Sequence, residues 1–189
     1  MQYEERYAVH PDDAKGYDTE RLRKEFLIEK LFEPDDIRLV YSSYDRLIVG
    51  GVMPVKQALE LTPIDPLKAP YFLHRRELGI INVGGKGVVC AGDTEFKLDY
   101  KEALYLGSGD RTITFRSEDA SAPALFYINS APAHRNYPDR KVTKADAVAT
   151  ITNGMLFELI ERARRSDGVR DYYDIAVLGY SGDDEVYSL

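Results

Sequence analysis

Residues 71–89 read YFLHRRELGIINVGGKGVV, and the fold turns on them. A charged cluster, His74-Arg75-Arg76-Glu77, comes first. An apolar run follows from Leu78 to Val83, then Gly84-Gly85-Lys86-Gly87, then a second apolar run. Two short β runs separated by a Gly-Gly pair predict a local hairpin. Gly84, Gly85 and Gly87 do not read as a phosphate loop, because no helix follows them and both flanks are strands.

Upstream, residues 1–17 are polar and tyrosine-rich, with a turn at His10-Pro11-Asp12-Asp13. Asp18 predicts an N-cap for a short helix over Thr19 to Glu25, with Glu20 favourable in its first turn. From Phe26 to Phe32 the pattern has period two and predicts a strand. Further strands are expected over Ile37–Tyr44 and Arg46–Val55, the latter bulged or bent at Gly50-Gly51. The proline-rich connection from Pro63 to Pro70 cannot be helical.

Downstream, short runs recur at Val88–Ala91, Glu95–Leu98, Ala103–Leu106, Arg111–Phe115 and Ala124–Asn129, with turn residues between them. Such spacing predicts an antiparallel sandwich or barrel. Residues 130–148 form an irregular exit, where Thr143 with Asp146 resembles a capping box. The character changes near Gly154. Leu156, Leu159, Ile160 and Ala163 share one face of an amphipathic helix, Gly168 suits its C-terminus, and Tyr173–Tyr180 is an apolar β run. The expected domains are therefore residues 1–150 and a helix–strand tail, residues 151–189. There is no internal repeat and no low-complexity segment.

Composition limits the function classes. With 44% hydrophobic and 30% charged residues among 189, a packed core is expected and disorder is not. A net charge of −7 argues against a nucleic-acid partner. No apolar run is long enough to span a membrane, and the N-terminus has no apolar signal core. The single cysteine, Cys90, rules out an intrachain disulfide and a four-cysteine zinc site, points to the cytoplasm, and reads as a small core residue. Histidine is limited to His10, His74 and His134. The fourteen tyrosines fit core and interface better than a sugar-stacking platform.

Several residues carry two readings. His74-Arg75-Arg76-Glu77 offers planar guanidinium forks to an anionic sugar acid, or else forms a strand-edge salt-bridge cluster. Glu77 with Asp110 is a candidate carboxylate pair for proton transfer in an aldose–ketose rearrangement. That chemistry also needs stabilised enediolate oxygens, for which no residues stand out. His134-Arg135 lies in an irregular segment, where both ligand-binding and loop-anchoring residues are found.

Glu77, followed by six residues and then Gly84, has the glutamate-to-glycine spacing of the first cupin motif. The segments EFLIEKLF, YDRLIVGGVMPV, YFLHRRELGIINVGGKGVV, EALYLGSGDRTITF and APAHRNYPDRKVTKADAV resemble, in order, the N-terminal half of the 5-keto-4-deoxyuronate isomerases (4-deoxy-L-threo-5-hexosulose-uronate ketol-isomerases). The resemblance implies a hexameric bicupin that isomerises a ketouronate from pectin or glycosaminoglycan breakdown. It implies a zinc ion held in the second cupin by three histidines and a glutamate. No histidine follows His134, so that ligand set is not expected in this chain. In the first cupin the paired-histidine positions fall at Pro70 and Phe72, or Tyr71 and Leu73. The PxG position is Tyr105-Leu106-Gly107, and the later histidine position is Asp110. No metal ligands and no cofactor are therefore expected in this chain.

The tail, ELIERARRSDGVRDYYDIAVLGYSGDDEVYSL, resembles an early stretch of a von Willebrand factor A-type domain but lacks its Asp-x-Ser-x-Ser run. Together these readings predict a mainly β chain: a single cupin-type, jelly-roll-like antiparallel barrel with a C-terminal helix–strand appendage. Its function is expected to be that of a ketouronate isomerase lacking the metal-bearing second cupin. The alternative is a metal-free cupin that assembles as a homo-oligomer, or binds a sugar acid, without turnover.

Overall fold

Two sheets carry the first of the two units into which the chain divides, Met1–Thr143 and Lys144–Leu189. The computed structural model describes residues 1–147 throughout and, beyond them, the backbone of residues 164–165, 168–169, 178–180 and 186–188. The strands of the first unit are β1 (Gln2–Arg6), β2 (Asp36–Ser42), β3 (Ile48–Met53), β4 (Leu59–Glu60), β5 (Arg76–Asn82) and β6 (Gly87–Ala91). They continue with β7 (Thr94–Leu98), β8 (Ala103–Leu106), β9 (Ile113–Ser117), β10 (Phe126–Pro132) and β11 (Arg140–Val142). The larger sheet has seven strands in the order β1-β2-β3-β10-β5-β8-β11, and the smaller has four, β4-β9-β6-β7.

The expected sandwich is thus present, but as two open sheets, each with two edge strands, and not as a closed barrel. All its pairings are antiparallel except the outermost: β1 lies parallel to β2, with Gln2 opposite Arg38 and Arg6 opposite Ser42. One apolar cluster draws on both sheets. Leu39, Ile48, Leu78, Ile80, Leu106 and Ile128 come from the larger, and Val89, Leu98, Ile113 and Phe115 from the smaller. The Phe115 and Phe126 rings meet across it with centroids 5.3 Å apart. Burying each such side chain is worth roughly 1.5–3 kcal/mol.

The expected hairpin at residues 71–89 does not form. β5 belongs to the seven-stranded sheet and β6 to the four-stranded one, so the glycine segment is an arch that carries the chain from one sheet to the other. Both edges of β5 are already taken, by β10 and by β8, which leaves β6 no place beside it. Val83 and Gly85 donate their backbone N–H groups to Leu125 and Pro123 at 2.7 and 2.9 Å. A Cβ on Gly85 would lie 1.9 Å from the Ala122 carbonyl oxygen, so the glycines serve close backbone approach.

Further expectations give way. Residues 27–33 form no strand, although their pattern has period two: the segment packs its Leu31 backbone against Gly51 of β3. Gly50 and Gly51 make no bulge. They pair in register with β2 and β10, and a Cβ on Gly51 would sit 2.3 Å from the Leu31 carbonyl oxygen. Within the proline-rich connection, Asp65–Leu67 form one 3₁₀ turn, because Pro66 suits a first helical turn, where its missing N–H has no partner to lose. Cys90 is half-buried rather than in the core.

Two short helices precede β2. α1 (Pro11–Ala14) replaces the expected turn, with His10 Nδ1 accepting from the Asp12 N–H. α2 (Thr19–Phe26) forms where expected, and the Asp18 carboxylate accepts from the Arg21 N–H at 2.8 Å. The exit segment, expected irregular, extends β10 to Pro132 and adds β11 before residues 144–147 turn helical. In the second unit β12 (Arg164–Arg165) pairs antiparallel with β13 (Gly168–Val169), and β14 (Leu178–Tyr180) with β15 (Val186–Ser188). The expected amphipathic helix over residues 156–163 lies outside the described residues. Its predicted continuation through Arg165 and its end at Gly168 are replaced by the β12–β13 pair, since those residues are in strand pairing.

Candidate functional site

Strand alternation splits the His74–Glu77 cluster between two places. Arg76, at the start of β5, points inward with the residues that fill the core and is 6% exposed. Its Nε donates to Ser130 Oγ at 3.0 Å. Its Nη2 donates to the Ser130 carbonyl at 2.7 Å and the Arg46 carbonyl at 2.6 Å. Ser130 Oγ in turn donates to the Glu77 carbonyl at 2.6 Å. Burial, with Arg46 nearby, pushes Arg76 down to about 10, which still leaves it charged at neutral pH.

Arg76 forms the floor of a notch of about 160 Å³ that also takes in Tyr41, Arg46, Lys68, His74 and Arg75. Among the described residues, no carboxylate lines it. Its walls are apolar, built from Pro66, Leu67, Phe72 and Pro132. Two of its cations sit on backbone that residues with a Cβ rarely adopt, Arg46 at φ 54° and Lys68 at φ 44°. His74 stands edge-on to Tyr71, centroids 5.0 Å apart, and its Nδ1 is buried without a partner among the described residues.

Glu77 faces the other way. It borders an open depression on the outer face of the larger sheet with Tyr105, Tyr137, Pro138, Arg140 and Val142. Tyr105 donates its hydroxyl to Glu77 Oε2 at 2.8 Å. Burial first, then the Glu77 carboxylate, pushes the Tyr105 hydroxyl up to about 12. Asp110 is exposed and does not border the depression that Glu77 borders, and the carboxylates acting on Tyr105 are Glu77 and Asp139. Asp139 grips Arg111, which donates from Nη2 to Asp139 Oδ1 at 2.7 Å and to the Gly107 carbonyl at 2.8 Å. That clamp ties the β8–β9 turn to the exit segment.

His134 and Arg135 are exposed, His134 stands edge-on to Tyr137, and neither lines the notch or the depression. The sequence reading missed Tyr41, Arg46, Lys68, Tyr105, Ser130 and the Arg111–Asp139 clamp. Their only sequence signals were turn residues and a tyrosine-rich composition, which do not say who meets whom across a sandwich.

The described residues do not fit the zinc ion implied by the resemblance. No three of their His, Cys, Asp or Glu side chains group closely enough to hold a metal. Phe72 and Leu73, at two of the paired-histidine positions, are core residues at 2% and 0% exposure. No helix among the described residues is long and apolar enough to cross a membrane.

No family model matches the chain. A 4-deoxy-L-threo-5-hexosulose-uronate ketol-isomerase of Bacteroides fragilis is 70% identical over 146 residues, 77% of this chain and 52% of that protein. One from Formosa agariphila is 56% identical over 145 residues, with the same coverage, and one from Dickeya dadantii 49% identical over 144, covering 75% of this chain and 52% of that protein. The chain spans about half the length of the curated relatives it matches. Among solved structures, a cupin 2 domain-containing protein from Halorhodospira halophila is similar at 12% identity and a TM-score of 0.36, over 75% of this chain and 90% of that one. That score is too low to add to the sheet topology. Over its N-terminal 77%, the chain matches about half the length of 4-deoxy-L-threo-5-hexosulose-uronate ketol-isomerases, at 49–70% identity.

Proposed function

We propose that residues 1–146 supply the N-terminal scaffold of an enzyme that interconverts the keto and aldo forms of a 4-deoxy-5-ketouronate, in uronate catabolism in the cytoplasm. Identity of 70% over 146 residues to a protein bearing that name carries the reading. In it, the ion and the proton-transfer groups belong to the half of the relatives that this chain does not match. The matched half contributes a rigid sandwich and a surface for assembly, as a homo-oligomer and by resemblance a hexamer.

The test is a chimera. Residues 1–146 of this chain replace the matching part of the Bacteroides fragilis relative, and ketol isomerisation of the ketouronate is followed with zinc supplied. Turnover within about tenfold of the parent is expected, because a scaffold acts through position and not through reacting groups. A folded, zinc-loaded chimera that is inert sinks the proposal. So does full turnover by the present chain alone, which would place the chemistry within it.

A further inference from the structure

We propose that the notch floored by Arg76 is a binding site for the carboxylate of a small sugar acid, separate from any reacting centre. The chain as a whole carries a net charge of −7, yet Arg46, Lys68, Arg75 and Arg76 converge on one concavity that no carboxylate among the described residues lines. Among the described residues, none of the four forms an ion pair. Gathering cations without a counter-charge is costly, most of all where one is buried, and a bound anion removes that cost.

The arrangement fits a ligand with a planar head. Arg76 is held rigidly through Nε and Nη2, so its plane is fixed before any ligand arrives. With Nε and both Nη2 hydrogens engaged in the fold, Nη1 is the donor left for a carboxylate oxygen, and its position is fixed in advance. Arg75, Arg46 and Lys68 are exposed and stand at the rim, where they can close over the head group. Tyr41 adds a hydroxyl donor, and the walls of Pro66, Leu67, Phe72 and Pro132 suit the C–H faces of a compact ring. A phosphate site built from backbone is not indicated, because neither a glycine nor a helix N-terminus borders the notch. The 160 Å³ volume is of the size of a single small sugar ring. The choice of a sugar acid rests on the functional reading above.

Calorimetric titration of the full chain tests it, with sodium D-galacturonate as ligand, D-galactose as the neutral control and inorganic phosphate as the alternative anion. Galacturonate is expected to bind saturably and galactose not at all. Lys68→Gln with Arg75→Gln removes two exposed rim charges and leaves the fold intact, and is expected to weaken binding by about tenfold or more. Arg76→Lys keeps the charge and removes the fixed Nη1 donor, and is expected to weaken galacturonate binding as well; a thermal melt reports whether that variant has folded. Galacturonate failing to bind, binding unchanged in the rim variant, or phosphate binding without galacturonate each overturns the assignment. The titration involves no turnover, so an inert chimera alongside an intact galacturonate site would reject the scaffold reading alone. An active chimera whose notch binds nothing would reject the notch alone.

Discussion

Asn82 shows how much one buried polar side chain can fix. It is fully buried, and its Nδ2 donates to the Gly85 and Leu98 carbonyls at 2.7 and 2.9 Å while its Oδ1 accepts from the Gly84 N–H at 3.1 Å. Three bonds from one amide hold the arch between the sheets. Asn82→Ala leaves those groups unpaired and is expected to cost about 2–4 kcal/mol in a urea unfolding titration. Asn82→Asp retains the shape but loses both donors and buries a charge, so it is expected to be worse than alanine. Tyr105 gives a pH signature. Its hydroxyl is raised to about 12 from an ordinary 10, so the folded state holds that proton more tightly than the unfolded state. Its contribution is complete below pH 10 and is lost as pH rises from about 10 through 12. Arg76, lowered to about 10, slopes the opposite way over the same range, so the difference between the native chain and Tyr105→Phe isolates the tyrosine. That difference should shrink with rising pH in melts between pH 9 and 12; a flat difference would mean that the Glu77 contact does not hold the proton.

At the scale of elements, the glycines of β3 and of the arch act through space, not flexibility. A Cβ at Gly51 meets the Leu31 backbone at 2.3 Å, and at Gly85 it meets the Ala122 carbonyl at 1.9 Å. Gly51→Ala must push the 27–33 segment off the sheet, and Gly85→Ala must open the arch. Each is expected to lower stability by about 1–3 kcal/mol, with Gly85→Ala the larger. Gly109 provides the control, since its nearest neighbour, Arg111 Nε, is 4.0 Å away and its φ is not positive. Gly109→Ala is expected to stay within about 0.5 kcal/mol. Equal effects at all three positions would show that chain entropy, not close approach, selects these glycines.

For the whole molecule, one apolar cluster spanning both sheets of Met1–Thr143 implies a cooperative unit. A polypeptide of residues 1–143 is expected to unfold in a single transition that near-UV circular dichroism and tryptic resistance report together. Two separated transitions would mean that the sheets are not one core. Most strand positions in this unit were legible beforehand, because alternation and turn residues are local: β6, β7 and β8 lie within one residue of the runs read from sequence. The strand expected over residues 26–32 did not form: that segment begins as the end of α2 and then lies against β3 at Gly51 instead of pairing along a strand edge. The candidate site was legible in part. His74, Arg75 and Arg76 do share a place, but Glu77 went to the opposite face by strand alternation, and Asp110, His134 and Arg135 joined neither.

The amino-acid sequence determined the β character, the strand periodicity, the cation-rich run at 74–76 and the likeness of its N-terminal 77% to the ketol-isomerases, since each depends on residue identity and near neighbours. Tertiary structure alone decided that the Gly84-Gly85 segment joins two sheets, that Arg76 is buried against Ser130, and that Arg46 and Lys68 meet it from distant turns. Those outcomes depend on which sheet edges remain unpaired and which backbones can approach, and no single segment holds that information.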